Sequence, residues 1–574
     1  MARHLRIPGL VAALAVMLIL VPGPGATQPA ATASARNATG ARGMAASAHP
    51  VASRAALAIL QQGGNAVDAA VAAAFVVGVV EPDASGLGGG GGMLIRLASG
   101  KAVYINYYGQ SPTDIARAAY DDAKDNKSAK AVLVPGNVGG LSRALKDYGT
   151  LPLATVLGPA IRAADEGFVV DQTLGQIILD NVAVVQSHPN TAAAFLRDGF
   201  PLQEGDTLRQ PALAAVLKAI AKGGPRAFYE GPVAEAMVAD IAKAGGVLSI
   251  EDLRTYEPIV SEPVTSSYRG YQILSSPLPH SGSTVIEALN ILENADLRAR
   301  GHYSTSVEAF HLMAEAMRRA YADRVAFIAD PRFEDVPGAG LLSKDYAKSR
   351  FAEIDMAKVV PADYRKTPAG DPTKFVPARG TAGHSDDPMT AGHTTQISII
   401  DAAGNVVSLT QTLGTFFGSG VTAAGVLYNN GVNNFAVIDR RNRLEPGKQP
   451  RSSISPSVLV KDGRPFIVLG SPGANRIIST VVTLIVNVVD YGLTAEQANA
   501  SPRFLCQKAD PVLSLESRFS DDVMEGMKKK GHTLKLYGDF DLFFGGSQII
   551  LVDPVTKMYH GSADPRRGGT AMGY

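Results

Sequence analysis

The stretch GHTTQISIIDAAGNVVSLTQTL, residues 392–413, has the pattern of a β-hairpin that begins at a pair of threonines. Ile397 and Ile399 alternate with polar residues, a turn follows over residues 401–405, and residues 406–413 form the return strand. Alternation with a period of two on both sides of a Gly-Asn turn is typical of two antiparallel strands. The stretch therefore places Thr394 near the start of a sheet strand.

The segment before this hairpin, residues 360–393, is rich in proline, glycine and polar residues and has no hydrophobic period. A loop of this length in a compact chain is normally functional or disordered. A cut before Thr394 would leave one residue with a nucleophilic hydroxyl and its own base, an α-amine with an ordinary pKa near 7.7–8.0. Because a Thr-Thr pair also suits any strand start, the pattern alone allows both self-cleavage and a plain strand.

Upstream, the sequence predicts two packed helices and a glycine-rich strand entry. The first helix starts at about Ala55 and stops at Gly63-Gly64, and the second, from Ala66 to Val79, is nearly all apolar and therefore buried. Five glycines, residues 88–92, then precede a strand that starts at Met93. No Gly-Lys-Ser/Thr follows, so this is not a phosphate loop. Close backbone approach at an active site and tight sheet packing both explain the glycines.

Residues 133–330 are predicted to be mostly helical, with glycine or Asp-Pro at the helix ends. Further strands are predicted on both sides of Gly463 and in residues 547–553 and 558–564. His311 and Glu315 lie four residues apart on one helix, a spacing that could hold a metal ion. The sequence suggests no third ligand, so a structural pair is favoured, and we expect neither a metal nor a cofactor.

Composition excludes several classes of protein. Lys and Arg number 54 against 53 Asp and Glu, a net charge of +1, which rules out a whole-protein basic field for nucleic acid. Cys506 is the one cysteine, so an internal disulfide and a multi-cysteine metal site are excluded. The 574 residues, 46% hydrophobic, suffice for one large layered domain or several smaller ones.

Residues 1–35 have the form of a secretory signal peptide. Arg3 and Arg6 precede an apolar run from Leu10 to Val21, and small residues follow it. The run is shorter than the roughly 20 residues that span a bilayer. We therefore expect an exported protein, periplasmic or secreted, cleaved between residues 26 and 35; an uncleaved anchor is the alternative.

The chain resembles the γ-glutamyltranspeptidase family of N-terminal-nucleophile hydrolases. Similar stretches cover nearly all of the mature chain: GGNAVDAAVAAA at 63–74, LGGGGGMLIR at 87–96, PLPHSGST at 277–284, HLMAEAMRRAYADR at 311–324, RSSISP at 451–456, LGSPGANRII at 469–478 and DPRRGGTAMGY at 564–574. The resemblance implies an α/β (α+β) fold, a four-layer αββα sandwich. It also implies a precursor that cuts itself between His393 and Thr394. The large subunit, 36–393, and the small catalytic subunit, 394–574, would then stay together.

The resemblance implies catalytic roles for four residues. Thr394 matches the nucleophile, and Thr412 matches the threonine that orients its hydroxyl. Gly473 and Ala474 match the pair whose backbone N–H groups form the oxyanion hole. Alanine suits the second position only at a negative φ, so we expect that conformation for Ala474.

The positions that grip a γ-glutamyl zwitterion in the family are only partly kept. Ser452 and Ser453 match the serine pair that contacts the substrate's α-carboxylate. Four other handles are neutral or absent: Tyr108 for an arginine, Gly414 for an asparagine, Gly431 for a glutamine and Asn434 for an aspartate. Because the cationic and anionic handles are both lost while the catalytic motifs remain, the sequence favours an active enzyme with a changed acyl pocket.

Three hypotheses follow. The first is an exported N-terminal-threonine amide hydrolase or acyltransferase that takes a small-molecule amide and passes the acyl group to water or an amine. The second is a true γ-glutamyl hydrolase or transpeptidase that grips its substrate differently, through Arg451, Arg476 or Lys448. The third is an inactive binding scaffold.

Overall fold

Two seven-stranded sheets form the centre of the protein in a computed structural model that describes residues 36–375, 392–435, 441–507 and 510–574. The expected signal peptide, residues 1–35, lies outside the described residues. So do residues 376–391, which make up about half of the expected processing loop. No helix among the described residues is both long and apolar enough to cross a membrane.

All neighbouring strands within the two sheets are antiparallel. The first sheet has the order β1-β13-β12-β11-β10-β7-β6 and the second the order β14-β2-β8-β9-β3-β4-β5. In chain order, the strands are β1 Asn37–Gly40, β2 Met44–Ser47, β3 Gly90–Arg96, β4 Ala102–Asn106, β5 Ile259–Ser261, β6 Val264–Tyr268, β7 Tyr271–Ser275, β8 Gly392–Ile400, β9 Val406–Thr415, β10 Ser457–Lys461, β11 Arg464–Gly470, β12 Gln548–Val552, β13 Tyr559–Ala563 and β14 Thr570–Gly573.

Helices cover the outer face of each sheet. Those of nine or more residues are α1 Pro50–Gln61, α2 Ala66–Val80, α3 Asn137–Tyr148, α4 Leu153–Asp165, α5 Gln172–Asp180, α6 Pro211–Gly223, α7 Gly231–Lys243, α8 Gly282–Leu292, α9 Val307–Phe327, α10 Lys344–Ala352, α11 Arg476–Val489 and α12 Asp521–Lys529. Helices α1–α7 share a hydrophobic core with the second sheet, and α8–α12 share another with the first.

A third core lies between the two sheets. Met44 and Leu94 of the second sheet meet Val458, Val468 and Ile550 of the first, and all five are fully buried. With a helical layer outside each sheet, the order is helix, sheet, sheet, helix. The four-layer sandwich that the resemblance implied is therefore confirmed.

The predicted hairpin is confirmed as β8 and β9, which lie inside the second sheet between β2 and β3. The buried helix is confirmed as α2, whose N-cap Asn65 forms a capping box with Asp68 and whose residues are all buried. The first helix, α1, begins at Pro50, five residues earlier than expected, because His49 caps it and Pro50 fits the first turn.

The glycine run differs from the prediction, because Gly90, Gly91 and Gly92 belong to strand β3. A side chain at Gly91 would approach the Thr410 carbonyl oxygen of β9 to 2.5 Å, which no Cβ tolerates. Tight sheet packing therefore explains these glycines. Strands β1, β2, β4 and β14 were not predicted, nor were β5–β7, which lie in the stretch predicted to be mostly helical.

Candidate active site

Thr394 lies opposite Thr412 in the β8–β9 ladder, and a register shift between His393 and Thr394 marks a β-bulge there. A bulge bends its strand and re-aims the side chains beside it. The Thr394 hydroxyl donates to Thr412 Oγ1 at 3.1 Å, and the Thr412 hydroxyl donates to the His393 carbonyl oxygen at 2.7 Å. The Gly414 N–H donates to Thr412 Oγ1 at 2.8 Å and fixes this chain of hydroxyls.

This series of hydrogen bonds joins the buried hydroxyl of Thr394 to the carbonyl group of the residue before it. Thr394 and Thr412 are only 3% and 5% exposed. A proton that leaves the Thr394 hydroxyl can pass to Thr412 while the Thr412 proton passes to the His393 carbonyl oxygen. The arrangement can therefore support attack of Thr394 on the His393–Thr394 peptide without a histidine or a metal ion.

The back of the same strand faces a small acidic cavity of about 20 Å³. The Thr395 hydroxyl donates to Glu81 Oε2 at 2.6 Å. Burial raises the pKa of Glu81 to about 7 and the pKa of Asp83 to about 6. Arg567 lines this cavity as well and lowers both pKa values through its charge.

A second cavity, of about 40 Å³, lies on the nucleophile's side of the strand. It brings together most of the site residues that the sequence predicted: Thr394, Thr412, Tyr108, Gly414, Asn434, Ser452, Ser453 and Ala474. These residues come from segments more than 300 positions apart in the chain. Of the predicted set, His393, Gly431 and Gly473 are not among the residues that line this cavity.

The serine pair forms one wall of the cavity, with partners that the sequence did not identify. Ser452 Oγ lies 2.6 Å from His280 Nδ1, and burial lowers the pKa of His280 to about 3, so its ring is neutral. Ser453 Oγ donates to Asn475 Oδ1 at 2.8 Å and accepts from Arg324 Nη2 at 3.1 Å. Arg324 therefore brings a buried guanidinium to this wall.

Two of the four altered handles contact each other. Asn434 Nδ2 donates to the Tyr108 hydroxyl at 3.0 Å, and burial raises the pKa of Tyr108 well above its ordinary value. Both side chains are therefore neutral. A hydrogen-bonded neutral pair stands where the family pattern has an arginine and an aspartate.

The two altered glycines differ in position. Gly414 lines the cavity with a φ of +102°, a conformation that favours glycine. The Gly431 N–H donates to Asn429 Oδ1 at 2.9 Å, and a side chain at Gly431 would run into Leu133. The expectation that Gly431 contacts substrate is not met, because the residue packs behind the cavity wall.

The expected negative φ of Ala474 is wrong. Gly473 and Ala474 have φ of +125° and +49°, so both residues are left-handed in the turn before α11. An alanine in this region costs about 1 kcal/mol or more, and such strain is typical of functional turns. Within the described part of the chain neither residue's backbone N–H donates a hydrogen bond.

From the sequence, three cations could replace the missing arginine, and they differ in whether they line the cavity. Arg451 lines the cavity and its Nη1 donates to the Val325 carbonyl at 3.1 Å. Arg476 Nε donates to the Phe543 carbonyl and Lys448 Nζ to the Arg441 carbonyl, and neither residue is among those that line the cavity. Arg324 and Arg451 are thus the cations of the described cavity wall.

The one candidate metal cluster within the described residues joins His311 and Glu315 to a third group that the sequence did not suggest, His532. His311 Nδ1 lies 2.7 Å from His532 Nε2, and His311 Nε2 lies 2.9 Å from the Asp355 carbonyl. Glu315 Oε2 accepts from Arg318 and Arg319, each at 2.7 Å. Two guanidinium groups on this carboxylate oppose a bound cation, so the cluster is better explained as a hydrogen-bonded support for α9.

A threonine hydroxyl at the start of an internal strand of an αββα sandwich is the arrangement of N-terminal-nucleophile hydrolases. The chain matches the Gamma-glutamyltranspeptidase family over residues 52–574. It belongs to this family of self-processing amide hydrolases and acyltransferases.

Known relatives carry two kinds of name. The glutathione hydrolase proenzyme of Escherichia coli (strain K12) is 38% identical over 547 residues, which cover 92% of this chain and 90% of that protein. The Acylase ACY 1 proenzyme of Pseudomonas sp. (strain V22) is 40% identical over 518 residues, 87% of this chain and 88% of that protein. Both names denote precursors, which fits a chain that is cut into two subunits.

Among solved structures, a cephalosporin acylase from Bacillus halodurans superposes with a TM-score of 0.83. It is 29% identical, and the match covers 97% of this chain and 99% of that one. The likeness extends over both sheets and both helical layers.

Proposed function

We propose that the mature protein is an exported amide hydrolase that forms an acyl-enzyme on Thr394 and whose acyl group needs no α-amino group. The observation that carries the proposal is the neutral Tyr108–Asn434 contact beside the nucleophile. Export rests on the charged start, short apolar run and small residues of positions 1–35.

Self-cleavage would begin when Thr394 Oγ attacks the His393 carbonyl carbon. The hydroxyl proton moves to Thr412, and the proton of Thr412 moves to the carbonyl oxygen, along the two hydrogen bonds of 3.1 and 2.7 Å. The C–N bond then breaks as the former carbonyl oxygen gives up the proton it gained and the Thr394 nitrogen takes up one proton, so that an ester joins His393 to Thr394. Water hydrolyses the ester, which leaves a carboxylate on His393 and a free amine and hydroxyl on Thr394.

Turnover would use the same hydroxyl with the new α-amine as its base. Thr394 Oγ attacks the substrate amide, and the amine takes the proton and returns it to the leaving amine. The N–H groups of Gly473 and Ala474 would hold the oxyanion, because both belong to a turn that reaches the cavity. Water, or an amine acceptor, then releases the acyl group.

Charge in the acyl pocket argues against a zwitterionic acyl group. Arg324 and Arg451 place two positive charges in the cavity wall, and the described residues that line the cavity include no aspartate or glutamate. A buried ammonium without an anionic partner is strongly disfavoured. An acyl chain with a distal carboxylate and no amine, such as glutaryl, is therefore the best match to this wall.

The cavity of about 40 Å³ belongs to the uncleaved chain and is too small for such an acyl chain. Cleavage would free Gly392 and His393 to leave the neighbourhood of Thr394 and widen the pocket. The acyl pocket is therefore expected to form fully only in the processed protein.

The alternative is γ-glutamyl hydrolysis or transfer, as the name of the relative from E. coli suggests. Arg324 favours it to the extent that the guanidinium supplies the carboxylate handle that Tyr108 lacks. The acylase name of the other relative agrees with the first proposal.

The test is kcat/KM for three anilides, γ-glutamyl, glutaryl and butyryl, with the processed enzyme. We expect glutaryl to exceed γ-glutamyl by about tenfold or more, and Arg324→Gln to lower the glutaryl-to-butyryl ratio. Because the two kcat/KM values of a ratio are measured on the same preparation of one variant, a loss of folded protein cancels in the ratio. A γ-glutamyl advantage of about a hundredfold, equal to about 2.7 kcal/mol, would establish the alternative, and hydrolysis of none of the three would leave the inactive scaffold.

A further inference from the structure

Arg567 contacts both residues that flank the proposed cleavage site. Its Nη1 donates to the Thr394 carbonyl oxygen at 3.0 Å, and its Nη2 donates to His393 Nδ1 at 2.9 Å. The side chain is 6% exposed and lies in the turn between β13 and β14. A residue more than 170 positions away from Thr394 in sequence thus contacts both sides of one peptide bond.

The surroundings fix both the charge and the orientation of this contact. Burial lowers the pKa of Arg567, and the charges of Glu81 and Asp83, which line the small cavity with it, oppose that lowering. Burial, and then the charge of Arg567, keep the pKa of His393 well below its ordinary value, so the ring is neutral and Nδ1 accepts. The ring also stacks on Phe416, which limits its rotation.

Before the cut, Thr394 has no free amine, so the base of the mature enzyme is absent. What remains is the relay through Thr412, which works only while the hydroxyl, the relay and the carbonyl carbon stay aligned. Misplacement of reacting groups by about 1 Å can cost about a hundredfold in rate. The uncleaved chain therefore depends on whatever fixes the His393–Thr394 peptide.

We propose that Arg567 is a positioning residue for self-cleavage, because it fixes the His393 ring and the Thr394 carbonyl while Thr412 fixes the His393 carbonyl. The inference rests on the proposed cleavage between His393 and Thr394. Arg567 moves no proton in the reaction. Once the bond is cut, the contact with His393 has no further task, so self-cleavage depends on Arg567 more strongly than turnover does.

The test follows self-cleavage of the full chain during a pulse–chase in cell-free translation, read on a denaturing gel. Arg567→Gln removes the charge and cannot span both contacts, so we expect cleavage about a hundredfold slower than in the wild type. Arg567→Lys keeps the charge and one contact, and we expect cleavage about tenfold slower than in the wild type. The partial rescue by lysine distinguishes positioning from bulk filling.

Arg269→Gln is the matched control. Arg269 donates to Asp490 Oδ1 and to the Glu293 carbonyl, each at 3.0 Å. It lies in the turn between β6 and β7 and is not among the described residues that line the cavity of Thr394. We expect its cleavage rate to stay within about threefold of the wild type. Melting of each variant in a Thr394→Ala chain, which cannot cleave, measures the cost to folding separately.

Cleavage of Arg567→Gln within about threefold of the wild type would overturn the inference. So would equal slowing in Arg269→Gln and Arg567→Gln in proportion to their losses of melting temperature. An Arg567→Gln chain that fails to fold leaves the Arg567→Lys rate and melting temperature to decide. If the wild type never cleaves, or if Thr394→Ala cleaves before residue 394, the proposed function fails instead, whatever Arg567 does.

Discussion

Tyr108 and Asn434 are bonded to each other at the position where the γ-glutamyltranspeptidase pattern has an arginine and an aspartate. A change at one position alone would leave a buried charge without its counterpart, and loss of one partner of such a pair typically costs about 2–5 kcal/mol. Replacement of both by a neutral hydrogen-bonded pair avoids that cost. We therefore propose that the two residues represent one exchange, which removes the charged groups that would bind a zwitterionic substrate.

The reverse exchange gives a prediction. Tyr108→Arg together with Asn434→Asp should raise the ratio of kcat/KM for γ-glutamyl over glutaryl anilide by about tenfold, or about 1.4 kcal/mol. Each single change should raise it less, because it buries a charge without its partner. An unchanged or lower ratio in the double variant would show that the exchange does not set acyl preference.

At this scale the sequence could identify residues that lie within recognisable motifs, such as Thr394, Thr412 and Ser453. It could not identify Arg324 or Arg567 as parts of the site. Both lie in matched motifs, but their contacts join segments that are 129 and 173 residues apart. No local pattern carries such contacts, because they depend on how the sheets and helices pack.

The hairpin of β8 and β9 is the element on which the chemistry depends, because its register places Thr412 beside Thr394. Thr412→Val keeps the shape and β-propensity of the side chain but removes the relay. Positioned proton transfer contributes about 10²–10⁴-fold, so we expect self-cleavage to slow by at least about a hundredfold in pulse–chase.

Thr410→Val is its control on the same strand and the same face. The Thr410 hydroxyl donates to Gln396 Oε1 at 2.6 Å and takes no part in the relay. We expect cleavage within about threefold of the wild type. Equal slowing in the two variants would mean that β9 tolerates no lost hydroxyl and that the relay is not required.

The cavity behind β8 gives a pH prediction. The pKa of Glu81 is raised from an unfolded value of 4.5 to about 7 in the folded protein. Between these values the unfolded chain has released a proton that the folded chain still holds, so the unfolding free energy falls as pH rises. Glu81→Gln removes this pH dependence. Between pH 5 and pH 8, the unfolding free energy of the wild type should therefore fall by about 2 kcal/mol relative to that of Glu81→Gln.

Urea denaturation of the uncleaved Thr394→Ala chain, with and without Glu81→Gln, measures this difference. Buried groups that do not interact with Glu81 cancel in the comparison, including His49, whose pKa burial lowers to about 4. Asp83 is an exception, because its charge raises the pKa of Glu81. Glu235→Gln, on the exposed face of α7, should run parallel to the parent at every pH. Parallel curves for Glu81→Gln as well would contradict the raised pKa.

Elements with strong periodicity were predictable, and short edge strands were not. The hairpin alternates clearly with a period of two, and helix α2 is a nearly continuous run of apolar residues. Strands β5–β7 have three to five residues each and lie at sheet edges or next to them, where one face is open and alternation is weak. Their pairing depends on strands β4 and β10, which are distant in sequence.

At the scale of the whole molecule, the composition of the two sheets explains why the two proposed subunits would stay together. Each sheet contains strands from both sides of the His393–Thr394 bond, so neither part can form its core alone. The order of the four layers followed from the family resemblance rather than from periodicity, because local patterns do not state which sheet faces which.

Export is tested on the large subunit from native cells. N-terminal sequencing should give a start in or just after residues 26–35, because a signal peptidase cuts after the small residues that follow the apolar run. A start at Met1 or Ala2 would contradict removal of a signal peptide and favour an anchored form.

The most direct test of the central claim is the mass and N-terminal sequence of the chains in purified wild type and Thr394→Ala protein under denaturing conditions. We predict two wild-type chains of about 38 and about 19 kDa, in proportion to their shares of 59.9 kDa. The smaller should begin at Thr394 and contain 181 residues (574 − 393). Thr394→Ala should remain one chain without activity. A Thr394→Ala small subunit that begins at residue 394, or a wild type that is active as a single chain, would contradict the account.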